Sequence, residues 1–364
     1  MVNKFIFMLP TDRIGGAERV AMNLVGYINK TYKNASVHVY FMSKGDSGGW
    51  NDFKGTDVCL TYSNLGSEKA SLFSALIYLY KTADKNTFVY SSHAHVNAFL
   101  SLFRKLRFYK CRYLILREST IISQRFSGLK KLILDGLYKC YGAQDLLICQ
   151  TGLMKDEFLK VRSISTSKNI RVIPNPLNLS QIQEKIRGGS FKYPARKAAL
   201  IVMVGRLVPI KNHLLVINAL RDIDRDNFFL VLVGDGPMKS ALQVDVKRAG
   251  LQDNVEFVGK SNNPFMYMKG ADIGIVSSFS EGFPNVIIEM MAAKVKNIIT
   301  TPCAGDLNLL PSVMVTSDFK VESMFKALDD GLQTKSDFSE EYFSYAQSRD
   351  VSHYWRSILD ALKE

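Results

Sequence analysis

Two carboxylates eight positions apart, Glu281 and Glu289, have the residue type and spacing to do chemistry in this 364-residue chain. Glu281 lies in the loop Ser280–Asn285, rich in Ser, Gly and Pro. Glu289 lies in the apolar run that follows, which reads as a helix. Upstream, Asp272–Val276 reads as a buried strand. The unit is therefore strand, loop, helix, with Glu281 in the loop and Glu289 about two turns along. Pro284 suits the first helical turn, where its missing N–H costs nothing. The free N–H groups of that turn attract an anion. One carboxylate can hold polyol hydroxyls near the loop while the other holds a second group of the same ligand. A loop Glu followed by a solvated helix Glu has the same spacing.

Other stretches add charge and donors. Gly205-Arg206-Leu207 and Lys211-Asn212 follow the apolar strand Ala198–Val204. Two cations five positions apart in such a loop can converge on a diphosphate, Arg as a planar fork and Lys as a point charge. A solvated surface loop is the alternative. Gly15 and Gly16 sit between a strand (Phe5–Leu9) and a helix (Ala17–Asn29), where backbone N–H groups can approach a ligand closely. The same pattern fits an ordinary strand-to-helix turn. His93 and His95 follow the strand Phe88–Tyr90, at the end of a strand where open α/β sheets place ligands. Capping or core roles stay open for them. Arg117-Glu118 at the end of another strand could bind a polar acceptor, although a structural ion pair fits better. Asp222-Ile223-Asp224 reads as a solvated turn, with no glycine where a calcium loop needs one.

The elements that must position these groups alternate between strands and helices throughout, which implies parallel sheets. The length favours two domains of ordinary size. Residues 177–197 are polar, charged and contain Gly-Gly, so the boundary is expected there. Charge is divided unevenly. Residues 1–190 carry 27 Lys+Arg against 13 Asp+Glu, while residues 191–364 carry 20 against 21. A basic first half attracts phosphate, nucleic acid or an anionic membrane. Within it, Leu102–Arg112 interleaves Arg104, Lys105, Arg107, Lys110 and Arg112 with large apolar residues. That mixture suits anionic lipid headgroups, or a solvated basic helix end. No nucleic-acid motif accompanies it. Five scattered Cys lack C-x-x-C spacing, so neither a zinc site nor a disulfide framework is indicated, and a reducing cytoplasm fits. The apolar run at the N-terminus is too short for a signal peptide, and no segment approaches the roughly 20 apolar residues of a membrane span.

Glu281 to Glu289 resembles the E-x7-E signature of retaining glycosyltransferases of family 4. Gly15-Gly16-Ala17-Glu18, Gly205-Arg206-Leu207 with Lys211-Asn212, and Gly234-Asp235-Gly236-Pro237 match that family in the expected order. The resemblance spans residues 15 to 289. It implies the GT-B architecture: two Rossmann-like domains facing across a cleft. Residues 1–180 would bind the acceptor and residues 190–345 the nucleotide-sugar, with a helix over 346–364 returning to the first domain. It also implies transfer of a hexosyl or N-acetylhexosaminyl unit, with retention, from a nucleoside-diphosphate sugar, UDP favoured, to a hydroxyl. The acceptor would be a lipid-linked glycan or oligosaccharide in polysaccharide, O-antigen or capsule assembly.

By the same resemblance, Arg206 and Lys211 bind the donor diphosphate and stabilise the departing charge. Glu281 contacts sugar hydroxyls and Glu289 the ribose. His95, rather than His93, lies near the donor's sugar and phosphates. The remaining donor contacts expected are Gly15, Gly16, Gly205, Gly259, Lys260, Gly282, Phe283, Pro284 and Asn285. His93, Arg104, Lys105, Arg107 and Arg117 are assigned to acceptor or membrane. No cofactor and no metal are expected, because the nucleotide-sugar is a substrate and this class does not depend on a metal motif. The expected setting is the inner face of the cell membrane, on an anionic surface and without nucleic acid. The chain departs from the family after Glu289, with Lys294-Val295-Lys296 where many members have Gly and Pro, and with a reduced Ala304-Gly305-Asp306-Leu307 stretch. Two other readings share parts of this evidence. One is a GT-B epimerase or sugar phosphorylase. The other is a non-catalytic nucleotide-sugar or nucleic-acid binder, which the position of Arg206 and Lys211 in the neutral half disfavours.

Overall fold

The structure is a computed structural model that describes residues 2–45, 49–65, 68–121, 128–161, 169–189, 191, 198–334 and 336–363. Parts of two expected loops, 46–48 and 192–197 with 190, lie outside the described residues. The chain forms two compact units, residues 1–176 with 351–364, and residues 177–350.

The first unit runs β1 (Lys4–Thr11), α1 (Gly16–Thr31), β2 (Ser36–Ser43), β3 (Val58–Tyr62), α2 (Glu68–Thr82), β4 (Thr87–Ser91), α3 (Ala94–Lys105), β5 (Tyr113–Arg117), α4 (Gly128–Leu137), β6 (Leu146–Cys149), α5 (Gly152–Val161) and β7 (Ile170–Val172). Its seven strands lie in the order β3-β2-β1-β4-β5-β6-β7, all parallel. Alternation along β1 explains the two cores. Phe5, Phe7 and Leu9 pack on one face against α1, and Ile6 and Met8 on the other against α2 and α3. The strands are apolar on both faces because helices cover both.

The second unit runs α6 (Leu179–Arg187), β8 (Ala199–Val204), α7 (His213–Leu220), β9 (Phe228–Val233), α8 (Lys239–Arg248), β10 (Val255–Gly259), α9 (Phe265–Met268), β11 (Ile273–Val276), α10 (Asn285–Ala292), β12 (Asn297–Thr300), β13 (Met314–Val315), α11 (Val321–Gln333) and α12 (Ser339–Ser348). Its six strands lie in the order β10-β9-β8-β11-β12-β13, again parallel. The last helix, α13 (Val351–Ala361), belongs to the first unit. Trp355 packs there against Phe5 and Phe88 and donates its indole N–H to the Tyr32 hydroxyl at 2.8 Å.

In both sheets the strand order reverses once, between β1 and β4 and between β8 and β11. Loops leaving the C-terminal ends of strands on either side of such a reversal diverge, and the crevice between them is where open α/β sheets bind ligands. Two details differ from expectation. The boundary falls at the very start of the expected 177–197 stretch, and residues 177–187 are part of the second unit's core: Asn178 caps α6 by accepting from the Gln181 N–H at 3.2 Å, and Ile182 and Ile186 enter the core. Residues 177–180 and 346–350 accordingly belong with the second unit. Lys294, where the resemblance leads one to expect Gly, adopts a left-handed φ of 60° after α10. The backbone need survives without the glycine.

Candidate active site

In the second unit, β8 and β11 flank the reversal, and the loops that leave them meet. The β8 loop carries Gly205, exposed Arg206 and Lys211, and ends at Asn212, whose left-handed φ of 48° turns the chain into α7. The β11 loop carries Ser277, Ser278 and Glu281. Lys211 Nζ lies 2.5 Å from Glu281 Oε1, and the Ser278 hydroxyl donates to the same oxygen at 2.8 Å. The Ser277 hydroxyl donates to the Lys211 carbonyl at 2.8 Å, and the Phe279 N–H donates to the Ile210 carbonyl at 2.9 Å. Both ends of the Lys211–Glu281 pair are therefore tied to the opposite loop. The Glu281 N–H donates to the Cys303 carbonyl at 2.7 Å, anchoring the loop to the one that follows β12. The pair is a quarter exposed or less on each side, so a ligand can reach it while solvent screening is reduced.

The β9 loop explains the glycines of Gly234-Asp235-Gly236-Pro237. A Cβ on Gly234 would meet the Gly205 carbonyl oxygen at 1.8 Å, and one on Gly236 would meet the Leu207 oxygen at 2.4 Å. Backbone lies on backbone here, with Leu207 N–H donating to Asp235 O and Met238 N–H to Leu207 O, each at 3.0 Å. The glycines hold the Arg206 loop in place. His213, the first residue of α7, is buried, and burial with the nearby Lys211 charge pushes its pKa down to about 4. It is a neutral packing group under the site. Burial and the Glu281 charge push the Cys303 thiol up to about 11. Asp224, in the turn read as solvated, accepts from the Asp226 N–H at 3.1 Å.

The remaining second-unit candidates separate into surface and core. Gly259 holds a left-handed φ of 80° at the end of β10, beside exposed Lys260. Gly282 and Asn285 are half-buried on the Glu281 loop and the first turn of α10. Glu289 on α10 is buried at 6% exposure and engaged with its neighbours. Two expectations need correcting. Pro284 is the N-cap of α10, with ψ at 93°, and not a first-turn residue. Phe283 is not turned to a ligand: it is a core residue with the Arg349 guanidinium over its ring, 5.7 Å from the centroid.

The first unit treats its corresponding loops differently. Glu18, in the first turn of α1, folds back so that Oε2 accepts the Gly15 N–H at 3.1 Å. Its Oε1 lies 2.9 Å from His93 Nε2. Burial alone would raise the Glu18 pKa, but the His93 hydrogen bond and charge, with the Glu18 and Gly15 N–H groups, bring it below the usual range. The Gly15 N–H, expected to face a phosphate, is thus already donated to a carboxylate. His93 is the N-cap of α3, and His95 lies in the first turn of that helix, not in a loop. His95 Nε2 is 2.5 Å from Glu68 Oε1 at the start of α2, and this hydrogen bond lowers the Glu68 pKa.

Two basic candidates turn inward. Arg104 binds Asp145, with further bonds to the carbonyls of Ala143 at 2.8 Å and Cys111 at 3.4 Å, and it joins α3 to the β5 and β6 ends. Arg117 is 1% exposed and donates to Asn175 Oδ1 at 2.5 Å, beyond an acceptor's reach. Its neighbour Glu118 is 2% exposed and accepts instead from Tyr141 at 2.6 Å and Asn97 at 3.2 Å. Lys105 and Arg107 are exposed, Arg107 at a left-handed φ of 60°.

Residues 189–307 match the family model described as "Glycosyl transferases group 1". The match covers about a third of the chain and lies within the second unit. The chain is 28% identical over 312 residues to the N-acetylgalactosamine-N,N'-diacetylbacillosaminyl-diphospho-undecaprenol 4-alpha-N-acetylgalactosaminyltransferase of Campylobacter jejuni, covering 83% of this chain and 80% of that one. It is 25% identical over 192 residues to an uncharacterized glycosyltransferase of Methanocaldococcus jannaschii, where the match spans 51% of this chain and about half (47%) of the relative. Its fold is that of Anabaena Alr3699/HepE, solved in complex with UDP-glucose, at a TM-score of 0.78 and 16% identity over 99% of both chains.

The matched segment holds Arg206, Lys211, Glu281 and Glu289, while both candidate histidines, His93 and His95, lie outside it. Three partners escaped the sequence reading. Glu18 had a signal, the capping-box spacing Gly15-x-x-Glu18. Ser278 had a weaker one, three residues before Glu281. Glu68 had none, since only the fold brings α2 to His95.

Proposed function

We propose that this chain is a retaining glycosyltransferase. It moves a hexosyl or N-acetylhexosaminyl unit from a UDP-sugar to a hydroxyl of a lipid-linked glycan, in surface-polysaccharide assembly at the inner face of the cell membrane. The observation that carries this reading is the Lys211–Glu281 pair, 2.5 Å apart at the reversal of the second sheet. A cation and a carboxylate held together by the opposite loops suit a ligand that is a diphosphate at one end and a polyol at the other.

In this reading the bond between the anomeric carbon and the diphosphate oxygen breaks, and an oxocarbenium-like sugar forms. Arg206 and Lys211 neutralise the departing diphosphate, helped by the N-terminus of α10. This charge compensation by fixed cations is why we assign a metal-independent mechanism. Glu281 holds sugar hydroxyls, and Glu289 holds the ribose. The acceptor oxygen attacks from the face that the diphosphate leaves, and its proton passes to the departing phosphate, so no separate base is needed. Gly15 has no part in the leaving-group cradle while Glu18 holds its N–H. The Campylobacter relative's named acceptor, a diphospho-undecaprenol glycan, supports a lipid-linked acceptor of that chemistry here.

The test is incubation with a panel of UDP- and GDP-sugars and an undecaprenyl-diphosphate glycan, with NMR of the product linkage. An α-linked product from an α-linked donor is expected. A β-linked product would overturn retention, and transfer from a GDP-sugar alone would overturn the UDP assignment.

A further inference from the structure

The outer face of α2 is apolar where a helix on the surface of a monomer is ordinarily polar. Phe73, Ile77 and Tyr80 are spaced four and three residues apart, on one side of the helix, and are 64%, 57% and 72% exposed. The opposite side of α2 is conventional, with Ala75, Leu76 and Leu79 in the core. The stripe is continued sideways by an aromatic ladder. Phe73 meets Phe99 edge-on at 6.0 Å, Phe99 meets Phe103 at 4.4 Å, and Phe103 meets Phe108 at 5.0 Å. The ladder crosses from α2 over α3 to the loop that follows, where Leu106 and Phe108 are 56% and 49% exposed. An apolar surface of this extent, built from two helices and a loop, marks an interaction site.

Its charge identifies the occupant. Residues 65–112 contain eight Lys and Arg but only two acids, Glu68 and Asp84. Glu68 is bound to His95 at the far end of α2. Lys81, Lys85, Lys105, Arg107, Lys110 and Arg112 are exposed, and none forms an ion pair among the described residues. The rim is cationic and its centre is Phe, Tyr, Ile and Leu. That composition is complementary to an anionic lipid surface, with aromatic rings at headgroup level and ammonium groups on the phosphates. No helix among the described residues is long and apolar enough to cross a membrane, so the contact is in the plane of the surface.

We propose that the α2 stripe of Phe73, Ile77 and Tyr80, with Leu106 and Phe108, is the surface that seats this chain on an anionic bilayer. This rests on the reading of the chain as a peripheral enzyme, and it relocates the contact. The sequence places it on Leu102–Arg112, but Arg104 and Phe103 of that stretch face inward or pack on neighbours, and Phe73, Ile77 and Tyr80 on α2 are each more exposed than Leu106 or Phe108.

The test is co-sedimentation with vesicles of phosphatidylcholine alone and of phosphatidylcholine with phosphatidylglycerol. Wild type is compared with the Phe73→Ser/Ile77→Ser/Tyr80→Ser variant and with a Phe279→Ser/Phe319→Ser control, which removes an exposed aromatic pair of the other unit. The expected result is binding that needs the anionic lipid, falls at least tenfold in the α2 variant and is unchanged in the control. UDP release in vesicle-free solution should be the same for wild type and the α2 variant, so the transferase reading is judged separately. Thermal melting of the variant shows that it is folded. Equal vesicle binding by wild type and the α2 variant would overturn the proposal. So would absence of wild-type binding, or a stripe whose loss only converts a dimer to a monomer on gel filtration.

Discussion

The two units use one topology for opposite ends. Each has a parallel sheet with a single reversal, and each places a glycine-bearing loop beside it. In the second unit, Gly234 and Gly236 let two loops interlock, and the result is a cation and a carboxylate set against each other at the surface. In the first unit, the Gly15 loop is closed by the chain's own Glu18, and both carboxylates there are bound to histidines. Lys81, Lys85, Lys105, Arg107, Lys110 and Arg112 of that unit are exposed, away from these pairs. The difference teaches that a Gly-rich loop after a strand is only an opportunity. What fills it, a backbone or a side chain, decides whether a ligand's phosphate can follow.

The glycines offer the sharpest way to break this contrast. Gly234→Ala should destabilise the chain by about 4 kcal/mol or more, since its Cβ has only backbone to displace. Gly15→Ala should cost about 1 kcal/mol, because a Cβ there meets only the end of the Glu18 side chain at 2.8 Å and the φ of −114° suits alanine. Urea unfolding of the two variants checks the pair, and equal losses would remove the distinction between the loops.

His213 sharpens the account of the second unit through pH. In the unfolded chain its imidazole takes a proton below about pH 6.5, whereas in the folded unit it stays neutral to about pH 4. Between these values the unfolded state holds the extra proton, so stability falls as pH falls, by about 3 kcal/mol across the window. His213→Phe should flatten that part of the stability profile measured by chemical unfolding at pH 4 to 7. The lowered Glu18 and Glu68 contribute at still lower pH, as acid protonates carboxylates that the folded first unit keeps charged.

Arg104→Ala tests whether the first unit's basic stretch is partly structural. Losing the partner of Asp145 and the bonds to two carbonyls should cost about 2 kcal/mol, discounted for partial exposure. Lys105→Ala, exposed and unpaired among the described residues, should change stability by less than about 0.5 kcal/mol. Thermal melts of both variants decide it.

Much of this was legible in the residues. Alternating apolar runs and helical spacing located most elements, because the central strands are buried on both faces and most helices on one. The second-unit site was legible too, since Arg206, Lys211 and Glu281 all lie on loops after strands that the pattern identifies. The misreadings have physical causes. Residues 177–187 read as a boundary segment because most of α6 is polar or charged, although Leu179, Ile182 and Ile186 carry a helical stripe. Phe283 reads as a ligand contact because it sits in the Glu281 loop, yet a loop residue of that size finds the core. Glu68 and Asp145 were invisible as partners, because pairing between distant elements depends on the fold and leaves no local spacing.

The most direct measurement is release of UDP from each member of a panel of UDP-sugars, for wild type and for Lys211→Ala and Glu281→Ala. Each substitution removes one half of the pair across the loops. The account predicts that kcat falls about 10²- to 10³-fold in both variants, with folding intact. Release at the wild-type rate in either variant would contradict it.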